Sequence, residues 1–168
     1  MKVLDLPMGK FRDKGQPIDN ISNFNSAKED VLYIEALGNL KGKRVFFGTK
    51  MAMIKLVPGE EFDVAKRTTA ATKLLEGDKV RTVGVIDKDD TVVMHSKGMY
   101  FLRIDGSTIP EKKKAAVGVR GMKLSEGDSL KGIVILKNGE NPLVKVKGKS
   151  IQLNRLHIAN RDTRGVKK

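Results

Sequence analysis

The chain has 168 residues, with 33 Lys and Arg against 20 Asp and Glu, a net charge of +13 and a pI near 9.9. An excess of this size speaks about partners and not about fold, and it points to polyanions, with nucleic acid ahead of acidic membrane. Cysteine is absent, which excludes a disulfide scaffold, a thiolate metal site and a Cys nucleophile. No apolar stretch approaches the ~20 residues of a membrane helix.

The opening Met1-Lys2-Val3-Leu4-Asp5-Leu6-Pro7 is too short and too soon interrupted for a signal peptide, so the cytoplasm is the expected compartment. Lys2 to Leu6 predicts a strand, followed by the basic loop Lys10-Phe11-Arg12-Asp13-Lys14-Gly15. Val31-Leu32-Tyr33-Ile34 predicts another strand. Helical signals are weak along the whole chain. Short Val- and Ile-rich runs punctuated by turn residues replace them.

Three pairs of such runs predict hairpins. Val45-Phe46-Phe47 and Met51-Ala52-Met53-Ile54 flank Gly48-Thr49-Lys50. The run Val92 to His95 and the run Met99 to Ile104 flank Ser96-Lys97-Gly98. Leu143 to Val146 and Ser150 to Leu153 flank Lys147-Gly148-Lys149. In the last two, the glycine is expected to supply the positive φ of a tight turn.

One segment occurs twice, fifty residues apart: Lys73-Leu74-Leu75-Glu76-Gly77-Asp78-Lys79-Val80 returns as Lys123-Leu124-Ser125-Glu126-Gly127-Asp128-Ser129-Leu130, with five of eight positions identical. An apolar run follows each copy. Self-similarity at this period marks an array of stacked units, none of which can bury its apolar face alone. The expected fold is all-β and propeller-like, an open or partial array of about three to four blades. Its divisions are a partial blade over 1–40, blades over 41–89 and 90–139, and a partial blade over 140–168.

The repeated Glu-Gly-Asp reads as turn chemistry before a strand and not as a pair of catalytic carboxylates. His95 and His157 lack companions at metal-ligand spacing and are expected at the surface or at an edge. No nucleophile elbow or phosphate-binding Gly-rich loop is visible. Gly118-Val119-Arg120-Gly121 has the letters of a GxxG loop, but its flanks are β-like.

After each hairpin comes a basic loop: residues 63–69, 111–120 and 161–167. A cationic cluster repeated once per stacked unit makes a track of positive charge suited to the phosphates of a long duplex. With no Trp, two Tyr and six Phe, the chain offers few platforms for stacking unpaired bases, which favours duplex over single strands. Two other readings remain open at this level. One is an RNA-binding module of the translation machinery. The other is a protein-interaction propeller whose charge confers only solubility.

Residues 116–128, Ala-Val-Gly-Val-Arg-Gly-Met-Lys-Leu-Ser-Glu-Gly-Asp, resemble the repeat signature of the C-terminal domain of bacterial type IIA topoisomerase A subunits, those of DNA gyrase and topoisomerase IV. Lys2 through Ile21 is similar to the end of that family's first blade. The resemblance implies a β-pinwheel, a disc whose blades exchange strands and whose basic rim bends duplex DNA. It implies a rim role for Lys112, Lys113, Lys114, Arg120 and Lys123, for Lys66, Arg67 and Lys73 in the blade before, for Arg161 and Arg164 in the blade after, and for Lys10, Arg12 and Lys14 in the first partial blade.

It also implies that this chain alone catalyses nothing and holds no cofactor. The catalytic tyrosine belongs to a separate breakage-reunion domain of the A subunit, whereas ATP and Mg belong to the B subunit. Tyr33 and Tyr100 lie in strand-like contexts instead. Partners would be double-stranded DNA, the B subunit, plus the remainder of the A subunit, in the nucleoid of a bacterial cytoplasm and with no membrane. The loose half-repeats at the two ends could pair between chains in a strand-swapped homo-oligomer. Two departures stand out. No stretch matches the Gln-Arg-Arg-Gly-Gly-Lys-Gly box of gyrase, but the family places that box upstream of the stretch matched here, so its absence does not tell the two enzymes apart. Thr68 replaces the glycine found at Gly118, so the earlier loop is expected to differ in geometry.

Overall fold

A computed structural model describes residues 6–66 and 68–168. The Lys2–Asp5 part of the expected first strand lies outside the described residues, and Leu6 is an exposed bend. Among the described residues ten strands carry the fold, and the α-helices are single turns, α1 (Ile18–Ile21) and α2 (Leu37–Leu40).

The first blade centres on a hairpin of β1 (Arg44–Thr49) and β2 (Met53–Pro58). Strand β3 (Val80–Ile86) pairs antiparallel with β1, and the two-residue β6 (Val119–Arg120) closes the other side on β2. The second blade repeats this order. Its hairpin is β4 (Thr91–Ser96) with β5 (Tyr100–Asp105), flanked by β7 (Leu130–Leu136) and β10 (Val166–Lys167). Each sheet therefore takes its fourth strand from chain that follows the next hairpin. A two-stranded sheet of β8 (Leu143–Val146) and β9 (Lys149–Gln152) ends the array.

Alternation along the strands decides which face meets which neighbour. Phe46, Ile54 and Leu56 of the first blade bury against Val92, Met94, Leu102 and Ile104 of the second. On its far side the second blade packs Val93 and Phe101 against Val146, Leu153 and Leu156 of the β8–β9 unit. The outer face of the first blade packs Val45, Phe47 and Val57 against Leu40, with Tyr33 and Phe62 at the margin. The order of layers is N-terminal segment, first blade, second blade, terminal hairpin.

Four sequence expectations need correction. The first hairpin turn lies two residues later than expected: Gly48 and Thr49 are in β1, and Ala52 takes the left-handed conformation at φ 63°. In the second hairpin that conformation falls on Met99 (φ 70°) and not on Gly98. Gly98 is needed for space instead, because a Cβ there would come 2.8 Å from the Asp128 carboxylate. The third turn is as expected, with positive φ at Lys147 and Gly148.

Residues 31–34 form no strand; they lie as extended coil against the outer face of the first blade, where no neighbouring strand offers them a ladder. Finally, His95 is buried, with 8% of its surface exposed. It stacks on Phe101 with ring centroids 5.2 Å apart, in a space left open by Gly132 on the facing strand. His157 is exposed, as expected.

Candidate nucleic-acid interface

The repeated Glu-Gly-Asp is a clamp between neighbouring elements of a blade. Gly77 and Gly127 both adopt φ 70°, a conformation open to glycine at no steric cost. That turn aims Asp78 at the tip of the β1–β2 hairpin, where its Oδ1 accepts from the Met51 and Lys79 amides at 2.9 and 2.8 Å. Asp128 does the same for the β4–β5 tip, accepting from Gly98 and Ser129 at 3.1 and 2.8 Å. Backbone bonds from Lys50 to Lys79 and from Lys97 to Ser129 complete the two clamps.

The loop that holds Lys112, Lys113 and Lys114 is built on a lysine that sequence reasoning passed over. Lys55 in β2 is 1% exposed, and its ammonium donates to the carbonyls of Lys113, Lys114 and Ala116 at 3.1, 2.9 and 2.8 Å. All three of its donors are satisfied. Burial draws its pKa down and Glu61 opposes the shift. The signal for Lys55 was a lone cation between Ile54 and Leu56 in an apolar strand.

The same loop is anchored at Lys114, whose amide donates to the Glu61 carboxylate at 2.7 Å and whose Nζ donates to the Glu61 carbonyl at 2.8 Å. Lys114 is half-buried by these contacts, whereas Lys112 and Lys113 project into solvent.

A second cluster forms where two consecutive basic loops run side by side. Met122 bridges to Thr163, the Lys123 amide donates to the Thr163 carbonyl at 2.9 Å, and the Asp162 amide donates to the Gly121 carbonyl at 2.7 Å. Arg120 grips Asp162 with both Nε and Nη2. That contact holds the Asp162 carboxyl below the usual carboxylate range, and Lys123 and Arg161 act in the same direction. Four charged side chains from two repeats thus share one surface, three of them cationic. Beside them, Arg164 and Lys167 lie over the Tyr100 ring at 5.3 and 5.8 Å, within reach of a cation–π interaction. Neither Asp162 nor Tyr100 was singled out from the sequence as part of this surface.

The remaining candidates are more dispersed. Lys66 and Lys73 are exposed on the segment between β2 and β3, and Lys10, Arg12 and Lys14 are exposed in the N-terminal segment. Arg67 lies outside the described residues. After Gly118, Val119 and Arg120 form β6, whereas the residues directly after Thr68 form no strand; at Gly118 a Cβ would approach the Ile54 carbonyl oxygen to 2.5 Å. Among the described residues no group of three or more His, Cys, Asp or Glu is placed to hold a metal ion. None of their helices is long and apolar enough to cross a membrane.

The family model described as the DNA gyrase C-terminal domain, beta-propeller, matches residues 43–87 and 96–137, just over half of the chain. The DNA topoisomerase 4 A subunit of Streptococcus pneumoniae is 27% identical over 166 residues, covering 94% of this chain and 20% of that protein. The DNA gyrase A subunit of Escherichia coli is 25% identical over 170 residues, covering 99% and 19%. The chain therefore spans about a fifth of the length of these relatives.

Among solved structures, a C-terminal domain of DNA topoisomerase IV superposes with a TM-score of 0.86 at 24% identity, over 98% of this chain and 53% of that one. A DNA gyrase A C-terminal domain gives 0.72 at 23% identity, over 92% and 53%. The chain shares the β-pinwheel fold of these C-terminal domains. The chain belongs to the DNA gyrase C-terminal domain family of β-propellers.

Proposed function

We propose that this chain binds duplex DNA through its phosphates and bends it, as a non-catalytic module of a type II topoisomerase A subunit whose partners are the remainder of that subunit and the B subunit. The observation that carries this reading is the junction of consecutive basic loops, where Arg120, Lys123 and Arg161 share one surface with Arg164 and Lys167 beside it. Lys112 and Lys113 extend the charge onto the first blade, with Lys66, Lys73, Lys10, Arg12 and Lys14 as further phosphate contacts.

Cations on successive loops neutralise phosphates along a strand and release counterions, which supplies affinity with little sequence preference. The described surface lacks a projecting helix or long β-ribbon for the major groove, in keeping with backbone contact over base readout. ATP and Mg would be held by the B subunit, not by this chain. The location that follows is the nucleoid of a bacterial cytoplasm.

Competition between duplex DNA and structured RNA tests this against an RNA-binding role. Duplex is expected to displace RNA, and the Lys112→Ala/Lys113→Ala/Lys123→Ala/Arg161→Ala variant to lose affinity by similar factors on unrelated DNA sequences. Unchanged binding by that variant would remove the rim assignment.

A further inference from the structure

Among the ion pairs of the described residues, only that of Arg120 with Asp162 involves a cation of the proposed DNA surface; the others join Lys43 and Lys137 to Asp87 and Asp90. Lys123 and Arg161 act on the same carboxylate, so one anion sits amid three cations drawn from two repeats.

The contact has the form of a phosphate site. Two nitrogens of the guanidinium meet the carboxylate, Nε on Oδ1 and Nη2 on Oδ2, the latter at 2.9 Å. A phosphodiester offers two free oxygens and one negative charge to the same fork. The backbone fixes where this carboxylate is presented: the Asp162 amide donates to the Gly121 carbonyl at 2.7 Å, and its φ is 63°. Asp and Asn adopt that left-handed conformation more readily than other residues with side chains. The pair is nevertheless open to solvent, with 56% of the Arg120 side chain and 40% of that of Asp162 exposed, and so open an ion pair holds weakly. Rotation of the Asp162 side chain releases Arg120 without moving the loop.

The repeat itself does not require the pair. Lys112 donates to the Leu56 carbonyl as Ala159 donates to the Arg103 carbonyl, which aligns the two basic loops and gives Asp162 the position of Ala115. The match of Lys73 with Lys123 gives Arg120 the position of Ala70. The earlier junction thus has alanine at both places, and the anion and its cation enter together at the later one.

We propose that Arg120, Lys123 and Arg161 form a site for one phosphate of the DNA backbone, and that Asp162 is its resident anion, displaced when duplex binds. This inference rests on the DNA-binding reading and deepens it. Binding at the junction exchanges one anion for another, so the site adds less affinity than its three cations would alone.

Duplex binding over a salt series by the wild-type chain, Asp162→Asn, Arg120→Ala and the double variant tests this. Asn tolerates the left-handed backbone as Asp does, so Asp162→Asn removes the charge and keeps the turn. It is expected to bind about three- to tenfold more tightly at low salt, with a salt slope steeper by about one, the value of one further phosphate contact. Arg120→Ala is expected to cost more affinity in the Asp162→Asn background than in the wild type, because only there is the arginine free beforehand. Unchanged or weaker binding by Asp162→Asn, or an equal cost of Arg120→Ala in both backgrounds, would overturn the proposal and leave the DNA-binding reading in place. A wild-type chain that fails to bind duplex at low salt would overturn that reading and this inference with it.

Discussion

Lys55 shows how a single residue decides whether the basic loop exists as a shaped surface. Its ammonium is enclosed and donates to three carbonyls that come from the loop carrying Lys112 to Lys114. A hydrophobic replacement of similar length fills the space but leaves those carbonyls without a donor. Lys55→Met is expected to cost about 3 kcal/mol in urea unfolding, because buried acceptors that lose a charged donor bear their desolvation cost with no bond to offset it. Little change in the midpoint would show that water replaces the ammonium at no penalty.

His95 makes a separate statement at the same scale. Burial lowers its pKa from the ordinary 6.5, and the nearby Lys131 and Arg81 push in the same direction. The unfolded chain then binds a proton near 6.5 that the folded chain resists. Stability is full above that value and falls as the pH drops below it. Asp87, held low by its bonds to Lys43 and Lys137, changes stability only as the pH falls through and below its ordinary 3.8. Thermal melting between pH 7 and pH 5 therefore isolates the histidine, and His95→Phe should flatten the slope there.

At the scale of elements, the clamp carries the logic of the repeat. Asp78 is buried and joins the hairpin tip to the strand that follows it. Asp78→Ala leaves the Met51 and Lys79 amides without that acceptor, and a loss of about 2 kcal/mol is expected in chemical denaturation. The recurrence of Glu-Gly-Asp made this unit legible from the sequence as a turn before a strand. Its bond to the preceding hairpin was not legible, because that contact joins Met51 to Asp78 across 27 positions.

The alternation of apolar residues placed the three hairpins, but two turns were misassigned for a physical reason. In the first, the turn was placed at Gly48, which β1 takes in, and Ala52 carries the left-handed conformation. In the second, glycine was read as the source of positive φ, whereas Met99 adopts it and Gly98 serves to admit the Asp128 carboxylate. The strand expected at 31–34 failed differently. Its residues have strand character, but a strand forms only where a neighbour satisfies its amides and carbonyls. The basic loops were visible as charge. The grip of Asp162 on Arg120 was not, because it depends on two loops from different repeats meeting in space.

Across the whole molecule, stacking of like units converts a sequence repeat into a repeated surface. The first and second blades share a core through facing strands, and the basic loops that follow the second and third hairpins run together at Met122 and Thr163. Charge that would be a solvated loop in a lone unit is thereby placed beside charge from the next. If about six to eight phosphates are neutralised, the logarithm of the affinity for duplex DNA falls against the logarithm of salt concentration with a slope of roughly −5 to −7. That titration is the most direct test of a phosphate-directed cationic surface. A slope in that range, the same on unrelated sequences, is the expected result. Undetectable binding at low salt, or a slope shallower than about −2, would contradict it.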